Sequence, residues 1–506
     1  MNINELLTVQ DEHNDKLIQN ARPPEWQNPT PHGRYNMVVI GAGSAGLVAV
    51  AGTAGIGGKV ALIEKNLMGG DCLNYGCVPS KTIIRSGRAV ADVRDAARFG
   101  VHVPEGTTVD FGEVMARMRR VRADISPHDS AERYTNLGAD VYFGEARFTG
   151  PDTVEVGGQT LHFSKAVIAT GSRASFIPIP GLAESGYLTN EDVFNLTEQP
   201  RRLAVIGGGP IGSELAQTFQ RLGTAVTLID IAEHILPRED PDAAAIVQAS
   251  LLKDGVTLLL GVKTQKVRVD GAEKVIEYEE HGRVHEIRVD DILLAVGRRP
   301  NIEGLDLEKA GVEYSKKGIT VNDQLQTSNP RIYGAGDVAV PYQFTHVAGQ
   351  TAAIVVQNAL FPFPKRKFSD LIIPWVTYTD PEVAHVGLYP AQAAEQGIEI
   401  DTFSADMGKN DRAMAEGSTE GFVKIHVKKG TSKILGATIV GRHAGEMLNE
   451  ITLAMKHDLG MGALHGLIHP YPTEAEAIAK AASEWNKTRL TPLVAKIFGW
   501  WLQRTR

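Results

Sequence analysis

Short apolar runs that lead into glycine-rich turns are the most regular pattern along the chain. The run Met37–Ile40 leads directly into Gly41–Gly46 (GAGSAG). A stretch of small residues with helical character follows, and the next apolar run, Val60–Ile63, ends at Glu64. Strand, glycine turn, helix, strand and acidic residue form the order of a dinucleotide-binding unit.

Each part of this unit has a physical task. Gly41 makes the tight turn, Gly43 lets a pyrophosphate approach the backbone, and Gly46 lets helix and strand pack closely. The helix N-terminus supplies oriented N–H groups for the phosphate charge. Glu64 lies 18 residues after Gly46, where it can accept hydrogen bonds from an adenosine ribose.

The same unit returns 166 residues later. Leu203–Ile206 is the strand, Gly207, Gly209 and Gly212 occupy the three glycine positions, and Asp230 is the acidic residue. A chain with two dinucleotide units is best explained by a flavin in one and a nicotinamide nucleotide in the other, with a hydride passed between them. Two regulatory nucleotide sites are the alternative.

The second acidic residue also indicates the nucleotide. A carboxylate at Asp230 would repel the 2′-phosphate of NADPH, and no arginine follows within residues 231–234. Arg238 is the one nearby residue that could soften this effect. We predict that NADH is preferred over NADPH.

The only two cysteines of the chain, Cys72 and Cys77, lie in residues 68–81 (MGGDCLNYGCVPSK), which we call the cysteine loop. Two thiols this close can form a redox couple, although two buried thiols that happen to be neighbours are the alternative. Gly70 and the glycine before it allow close approach of the backbone to a ligand. Lys81 places a positive charge one helical turn after Cys77. Regulatory nucleotide sites would leave this pair unexplained.

Charge and hydropathy exclude several classes of protein. The net charge of −8 and a pI of about 6.0 argue against general nucleic-acid binding. The sequence contains no run of roughly 20 apolar residues, so we expect no membrane-spanning helix. The polar, acidic N-terminus is not a signal peptide, so we expect a cytoplasmic protein. Residues 1–35 form a polar extension broken by prolines, with Trp26 as the expected anchor.

Further motifs identify a family. They are GGDCLNYGCVPSK (69–81), IATGS (168–172), GGGPIGSE (207–214), AVGRRPN (295–301), YGAGDVA (333–339) and HPYPTEAEA (469–477). In this order and spacing, residues 36 to about 490 resemble the FAD-dependent pyridine nucleotide–disulfide oxidoreductases, which include dihydrolipoamide dehydrogenase, glutathione reductase and mercuric reductase.

The resemblance implies an α/β homodimer with two Rossmann-like dinucleotide-binding domains and an α+β C-terminal dimerisation domain. The expected division is an N-terminal extension (1–35), an FAD-binding and central domain (36–196 and 305–371), an NAD-binding domain (197–304), a dimerisation domain (372–486) and a basic aromatic tail (487–506).

The resemblance also implies site roles. Cys77 is the thiol beside the flavin, and Cys72 is the interchange thiol that faces the substrate. Lys81 lies near the reactive edge of the flavin, with Glu214 as its ion-pair partner. The remaining matches imply cofactor contacts. Asp337 is expected near the ribityl chain of the flavin and Ala146 at the adenine. Gly171, in IATGS, and Gly297, in AVGRRPN, are the other two expected contacts.

The C-terminal motif allows two registers. The disulfide reductases of the family carry His-Pro-Thr-x-x-Glu, whose histidine is the acid/base contributed by the partner subunit. Matching His-Pro pairs His469 with Glu474, whereas matching Pro-Thr-x-x-Glu puts Tyr471 in the histidine position and Glu476 in the glutamate position. We favour the second register because it keeps the following helix without a gap. Tyrosine, with a pKa of about 10 against about 6.5 for histidine, is a poor base at neutral pH.

A tyrosine at this position resembles mercuric reductase, but the second cysteine pair that usually delivers Hg(II) does not occur in this sequence. We therefore predict NAD(P)H-dependent reduction of a small thiol-reactive acceptor, with a lipoamide-type disulfide as the alternative; we predict no metal-ligand set. The tail has five basic residues and no acidic ones after Trp485. It either packs against the dimer or lies on a membrane surface, in which case a partner protein or a quinone becomes a further alternative acceptor.

Overall fold

The structure is a computed structural model, and it describes residues 7–506. The described chain forms two compact units. The first unit comprises residues 7–231 and 257–371, and the second comprises residues 232–256 and 372–506. The predicted domain boundaries, including those between the FAD- and NAD-binding domains, stay a prediction.

The helices of the described chain, in chain order, are α1 (Glu12–Ala21), α2 (Ser44–Gly55), α3 (Gly70–Asn74), α4 (Cys77–Arg94), α5 (Phe111–Ile125), α6 (Ala131–Asn136), α7 (Leu182–Ser185), α8 (Pro210–Leu222), α9 (Pro241–Asp254), α10 (Thr345–Leu360), α11 (Pro390–Glu395), α12 (Asp411–Glu416), α13 (Ala444–Lys456), α14 (Met461–Gly466), α15 (Glu476–Thr488) and α16 (Pro492–Arg504).

The strands of the first unit are β1 (Arg34–Ile40), β2 (Val60–Glu64), β3 (Ala139–Phe143), β4 (Ala146–Gly150), β5 (Thr153–Val156), β6 (Gln159–Ile168), β7 (Ser172–Ala174), β8 (Arg202–Ile206), β9 (Ala225–Asp230), β10 (Thr257–Leu260), β11 (Lys263–Asp270), β12 (Glu273–Glu280), β13 (Arg283–Val289), β14 (Asp291–Leu294), β15 (Arg298–Pro300), β16 (Tyr314–Ser315), β17 (Gly318–Ile319) and β18 (Ile332–Gly334). Those of the second unit are β19 (Pro374–Thr377), β20 (Glu382–Gly387), β21 (Ile400–Asp406), β22 (Phe422–Lys428) and β23 (Ile434–Gly441).

The largest sheet of the first unit has the order β3-β2-β1-β6-β5-β4, and β18 pairs with the carboxyl end of β6. Strands β1, β2, β3, β6 and β18 run parallel. The register aligns Ile40 with Ile168, and Ile168 with Gly334. GAGSAG, IATGS and YGAGDVA therefore begin at one edge of the sheet, where parallel sheets bind their ligands.

A second parallel sheet in this unit has the order β10-β9-β8-β14. Its register aligns Ile206 with Ile229 and with Leu294, so that GGGPIG and AVGRRPN also begin at a shared edge. Residues 263–289 form the antiparallel sheet β11-β12-β13. The chain thus carries the two Rossmann-like sheets that its repeated glycine motif predicted.

The second unit is built on the antiparallel sheet β19-β20-β23-β22-β21. Helices α13 and α15 contribute to its core, where Ile425, Ile439, Ile451 and Ile478 are fully buried. Residues 232–256 are fixed to this unit because Lys424 Nζ, on β22, lies 2.9 Å from Asp240 Oδ2. This mixed arrangement of strands and helices agrees with the predicted α+β domain.

The N-terminal end of the described chain differs from the sequence expectation. The extension contains helix α1, which was not predicted, and β1 begins at Arg34 rather than at Met37. At the other end, helix α16 has no buried residue. Within residues 7–506 there is no helix long and apolar enough to cross a membrane.

Candidate active site

The cysteine loop holds two free thiols at the junction of two helices. Cys72 lies within the short helix α3, and Cys77 is the first residue of α4, which Gly76 precedes as the N-cap. Cys72 is partly buried and Cys77 is exposed. Cys77 Sγ lies 3.5 Å from the hydroxyl of Thr345, at the start of α10. Nothing in the sequence pointed to Thr345, since it is 268 residues away.

The two thiols differ in acidity. The hydrogen bond from Cys72 lowers the pKa of Cys77 to about 6, and Thr345 and the charge of Lys81 act in the same direction. The same hydrogen bond, together with burial, raises the pKa of Cys72 well above its usual range. At neutral pH, Cys77 is therefore the thiolate and Cys72 the thiol, because a thiolate persists above its pKa.

An ion pair lies one helical turn from Cys77. Lys81 Nζ, on α4, is 2.9 Å from Glu214 Oε2, on α8. The side chain of Glu214 is 6% exposed and that of Lys81 is 34% exposed. A carboxylate buried to this degree needs a charged partner, which Lys81 supplies. The ion pair joins a helix of the cysteine loop to the helix that follows the second glycine turn.

The two glycine turns have nearly the same geometry. A Cβ on Gly41 would lie 2.4 Å from the oxygen of Ala169, and one on Gly207 would lie 2.5 Å from the oxygen of Ala295. A Cβ on Gly46 or on Gly212 would lie 1.8 Å from the oxygen of the first glycine of its own turn. Any side chain at these positions would meet backbone, which cannot move aside.

These turns fit the phosphates of two dinucleotides. Helix α2 is preceded by Gly43 and helix α8 by Gly209, and neither N-cap makes a side-chain hydrogen bond. The first-turn amides of both helices are therefore free of a side-chain cap and can bind phosphate. Gly171 and Gly297 were also predicted to bind a cofactor. No atom lies within 4 Å of a Cβ placed on either glycine, and their φ angles are +68° and +103°.

The acidic residues of the two units make equivalent contacts. Glu64 Oε2 accepts a hydrogen bond from Ala42 N at 2.7 Å, and Asp230 Oδ2 accepts one from Gly208 N. Burial raises the pKa of Glu64. Each carboxylate thus ties its strand to the glycine turn, and its role toward a ribose stays a prediction.

A polar network joins the cysteine loop to three other motifs. Arg298 Nη2 lies 3.0 Å from Asp71 Oδ1, next to Cys72, and Arg298 Nε donates to Ser172 Oγ at 2.8 Å. Ser172 Oγ donates in turn to Asp337 Oδ2 at 2.6 Å. Burial raises the pKa of Asp337. Sequence reasoning assigned no role to Arg298 or Asp71, although Arg298 belongs to AVGRRPN.

Ala146, the residue assigned to the adenine, is the first residue of β4 and is 7% exposed. Gly70, also assigned to the cofactor, has φ of +59°, and a Cβ there would lie 2.5 Å from Gly43 Cα. Gly70 is therefore required for contact between the cysteine loop and the first glycine turn. Its role toward a ligand stays a prediction.

In the second unit, the two candidate acid/base residues have opposite environments. Tyr471 is 71% exposed, and its hydroxyl donates to Asp411 Oδ2 at 3.0 Å. The side chain of His469 is 6% exposed, and its Nε2 lies 3.1 Å from Glu450 Oε2. The hydrogen bond to Asp411 raises the pKa of Tyr471.

The glutamates of the two registers are also separated. Glu474 is buried and lies 3.2 Å from His443 Nδ1, not paired with His469. Glu476 is the first residue of α15. The pair His469–Glu474 of the first register is therefore not formed within the chain. Which register supplies the acid/base stays a prediction.

Comparisons with known proteins agree with this geometry. The profile of the family described as "Pyridine nucleotide-disulphide oxidoreductase" matches residues 35–352, and that of its dimerisation domain matches residues 373–482. The chain belongs to this family. It is therefore an FAD-dependent oxidoreductase that uses NAD(P)H, and its dimerisation domain supports a homodimer.

Its relatives within the family fall into several groups. The chain is 38% identical to a mercuric reductase of Staphylococcus aureus, over 90% of this chain and 83% of that protein. It is 36% identical to a dihydrolipoyl dehydrogenase of Thermus scotoductus, over 90% of this chain and 98% of that protein. The HOCl-induced flavoprotein disulfide reductase RclA of Escherichia coli is similar in structure, with a TM-score of 0.79, 28% identity and coverage of 89% and 99%.

The lowered pKa of Cys77 predicts the pH dependence of its alkylation. In the reduced protein, the rate of iodoacetamide labelling at Cys77 should rise with a midpoint near pH 6, because only the thiolate reacts, whereas an ordinary thiol has a midpoint of about 8.5. Thr345→Val should move the midpoint upward. Mass spectrometry of the labelled peptide gives the rates. A midpoint above 8 in the unaltered protein would contradict this assignment.

Proposed function

We propose that the protein passes an electron pair from NADH, by way of FAD, to the Cys72–Cys77 disulfide and on to a thiol-reactive acceptor, with Hg(II) as the favoured acceptor. The observation that carries this proposal is the exposed Tyr471, bonded to Asp411, while the neighbouring His469 is buried against Glu450. A lipoamide-type disulfide is the alternative acceptor.

The residues of the cysteine loop suit the proposed electron path. FAD bound at the first glycine turn would supply the exchange of an electron pair between reduced nicotinamide and the disulfide. Breaking the disulfide leaves Cys77 as a thiolate, stabilised by Cys72, Thr345 and the charge of Lys81. Cys72 then passes its proton to the Cys77 thiolate, its hydrogen-bond partner, and meets the acceptor as a thiolate. Two adjacent sulfur ligands suit a soft metal ion such as Hg(II).

The need for a proton donor within the site distinguishes the two acceptors. Reduction of a disulfide by NADH takes up one proton and yields two thiols, so a nearby group must donate and recover a proton at neutral pH. Tyr471 holds its proton because its pKa is raised by Asp411. Reduction of Hg(II) complexed with two small thiols also takes up one proton overall and yields Hg(0), NAD⁺ and two free thiols. The leaving thiols can take their protons from solvent, however, and transfer of the electron pair to Hg(II) itself needs no proton donor. This difference supports the metal ion as acceptor.

Relatives support both candidates to different degrees. A mercuric reductase is 38% identical and a dihydrolipoyl dehydrogenase 36% identical to this chain. The second cysteine pair, which usually delivers Hg(II) in mercuric reductases, does not occur in this sequence. The proposed reaction therefore relies on Cys72 and Cys77 alone, with Hg(II) arriving as a complex with a small thiol.

Side-by-side assays of NADH oxidation with thiol-complexed Hg(II) and with lipoamide test the acceptor. We expect Hg(II) to be reduced at least tenfold faster than lipoamide, and Cys72→Ser to abolish the reaction.

Tyr471→His should raise lipoamide turnover roughly tenfold or more, because it introduces a group that exchanges protons near pH 7. Tyr314→Phe, at another exposed tyrosine bonded to a carboxylate, is the matched control. Fast lipoamide turnover by the unaltered protein would contradict the proposal.

We further propose that NADH is preferred over NADPH, on the basis of the carboxylate of Asp230 at the end of β9. Asp230→Asn keeps the acceptor for Gly208 N and removes the negative charge. We expect the ratio of kcat/KM for NADH to that for NADPH to exceed ten in the unaltered protein and to fall severalfold in the variant. An unchanged ratio would show that Asp230 does not select the nucleotide.

The tail suggests a second role, contact with an anionic membrane surface. Leu493, Ile497, Trp500 and Trp501 recur along one face of α16, and each is more than half exposed. The tail also carries five basic residues, Lys487, Arg489, Lys496, Arg504 and Arg506, and no acidic residue follows Trp485. An amphipathic helix with basic residues and tryptophans suits the interface of a membrane with anionic lipids.

Flotation of the purified protein with phosphatidylglycerol-containing vesicles tests this role. We expect the unaltered protein to float with these vesicles and not with vesicles of phosphatidylcholine alone. Ile497→Glu should prevent flotation without loss of NADH oxidation, since the side chain is exposed on the tail. Failure of the unaltered protein to float would leave packing against the dimer as the role of the tail.

A further inference from the structure

The N-terminal extension precedes the region that matches the family, which begins at residue 35. Its helix α1 begins after Asp11, whose side chain caps the helix by accepting from Asn14 N at 2.9 Å. Asn14, Leu17 and Ala21 are its buried residues. Their spacing of three and four residues puts them on one face of the helix. This face therefore carries one amide group among its apolar contacts.

The rest of the extension is fixed to the first unit by several hydrogen bonds. Met68 N, at the start of the cysteine loop, donates to Ala21 O at 3.0 Å. Trp26 Nε1 donates to Val141 O at 3.2 Å, and its ring packs edge-on against Phe143. Trp26 is thus an anchor, as predicted. From residue 11 to residue 28, the extension makes direct contacts with the rest of its unit.

One buried side chain connects the extension to the cysteine loop. Arg122, on α5, is 1% exposed. Its Nη2 donates to Asn14 Oδ1 at 2.8 Å, and its Nη1 donates to Asn74 O at 2.8 Å. Asn74 lies between Cys72 and Cys77. The guanidinium is therefore shared by the extension and the segment that separates the two thiols.

The surroundings of Arg122 explain why Asn14 matters. Burial lowers the pKa of Arg122 to about 10, so it remains a cation at neutral pH. A buried cation is tolerated only when its N–H groups have partners. Asn14 Oδ1 is one such partner, and Asn14 Nδ2 donates to Val9 O at 2.7 Å, which fixes the orientation of the amide. The orientation of Arg122 thus depends on α1.

The cysteine loop in turn depends on contacts of this kind. Helix α3 has five residues, too few to hold its conformation by its own hydrogen bonds. Asn74 Nδ2 donates to Gly70 O at 2.8 Å, and Asn190 Nδ2 donates to Tyr75 O at 3.2 Å. Arg122 is the side chain that holds the carbonyl of Asn74.

We propose that the extension is a strap that positions the cysteine loop through the hydrogen-bond relay Asn14–Arg122–Asn74, and thereby sets the equilibrium between the dithiol and disulfide forms of Cys72 and Cys77. Asn14 and Arg122 are positioning residues in this relay. The inference rests on the proposed redox role of the two cysteines. Both cysteines are free thiols in the arrangement that the relay holds, so loss of the relay favours the disulfide.

Equilibration of the holoenzyme with mixtures of reduced and oxidised dithiothreitol tests the relay. In this exchange the protein disulfide breaks as a disulfide forms in the reagent, and two electrons and two protons pass to the protein. We expect Asn14→Leu to shift the equilibrium constant about tenfold toward the protein disulfide, which corresponds to about 30 mV. Asn14→Asp keeps an acceptor for Arg122 and should stay within twofold of the unaltered protein.

A matched control lies on the same helix. Lys16 Nζ is 2.7 Å from Asp124 Oδ1, so it joins α1 to α5 without contacting the cysteine loop. Lys16→Ala should stay within twofold. Arg122→Lys keeps the charge but cannot reproduce the fork that reaches both acceptors, and it should shift the equilibrium in the same direction as Asn14→Leu. Thermal unfolding of each variant shows whether it is folded.

The outcomes separate the inference from the proposed function. The strap is overturned if the cysteine pair of the unaltered protein responds to dithiothreitol and the equilibrium constants of Asn14→Leu and Arg122→Lys do not differ from its own. An equal shift in Lys16→Ala also overturns it, because loosening of α1 in general would then be the cause. A pair that does not respond to dithiothreitol in any variant overturns the proposed redox function, and the strap with it.

Discussion

The backbones of Gly43 and Gly70 touch, and the active site depends on this contact. A Cβ on Gly70 would lie 2.5 Å from Gly43 Cα, and Gly70 has φ of +59°, so only glycine is accommodated without strain. The contact puts the cysteine loop directly against the first glycine turn. The thiols and the phosphate-binding amides of α2 are thereby held by the same few residues, before any side chain contributes.

Side chains then fix the cysteine loop from several directions. Arg298 pairs with Asp71, Arg122 holds the carbonyl of Asn74, and Thr345 contacts Cys77. An ion pair also joins Lys81, on α4, to Glu214, on α8. The result is a pair of sulfur atoms with opposite shifts in pKa, one thiolate and one thiol, at neutral pH. This asymmetry suits a couple that exchanges electrons on one side and meets an acceptor on the other.

The sequence predicted what short-range patterns encode. The glycine turns, their flanking strands and their acidic residues are local, so their order along the chain was sufficient to predict both parallel sheets. The contacts that complete the site are not local. Tyr471 and Asp411 are 60 residues apart, Arg122 and Asn14 are 108 apart, and Cys77 and Thr345 are 268 apart. Asn14 and Arg122 also resemble ordinary surface residues in sequence, and only the fold reveals that they are buried.

The central claim is that electrons from NADH reach the two cysteines. Anaerobic addition of excess NADH to the oxidised holoenzyme, followed by counting of thiols with a disulfide reagent under denaturing conditions, tests this claim most directly. The account predicts two new thiols in each chain, and none in Cys72→Ser, because that variant cannot form the disulfide. Oxidation of NADH without any new thiol would contradict the account, since the cysteine pair would then lie outside the electron path.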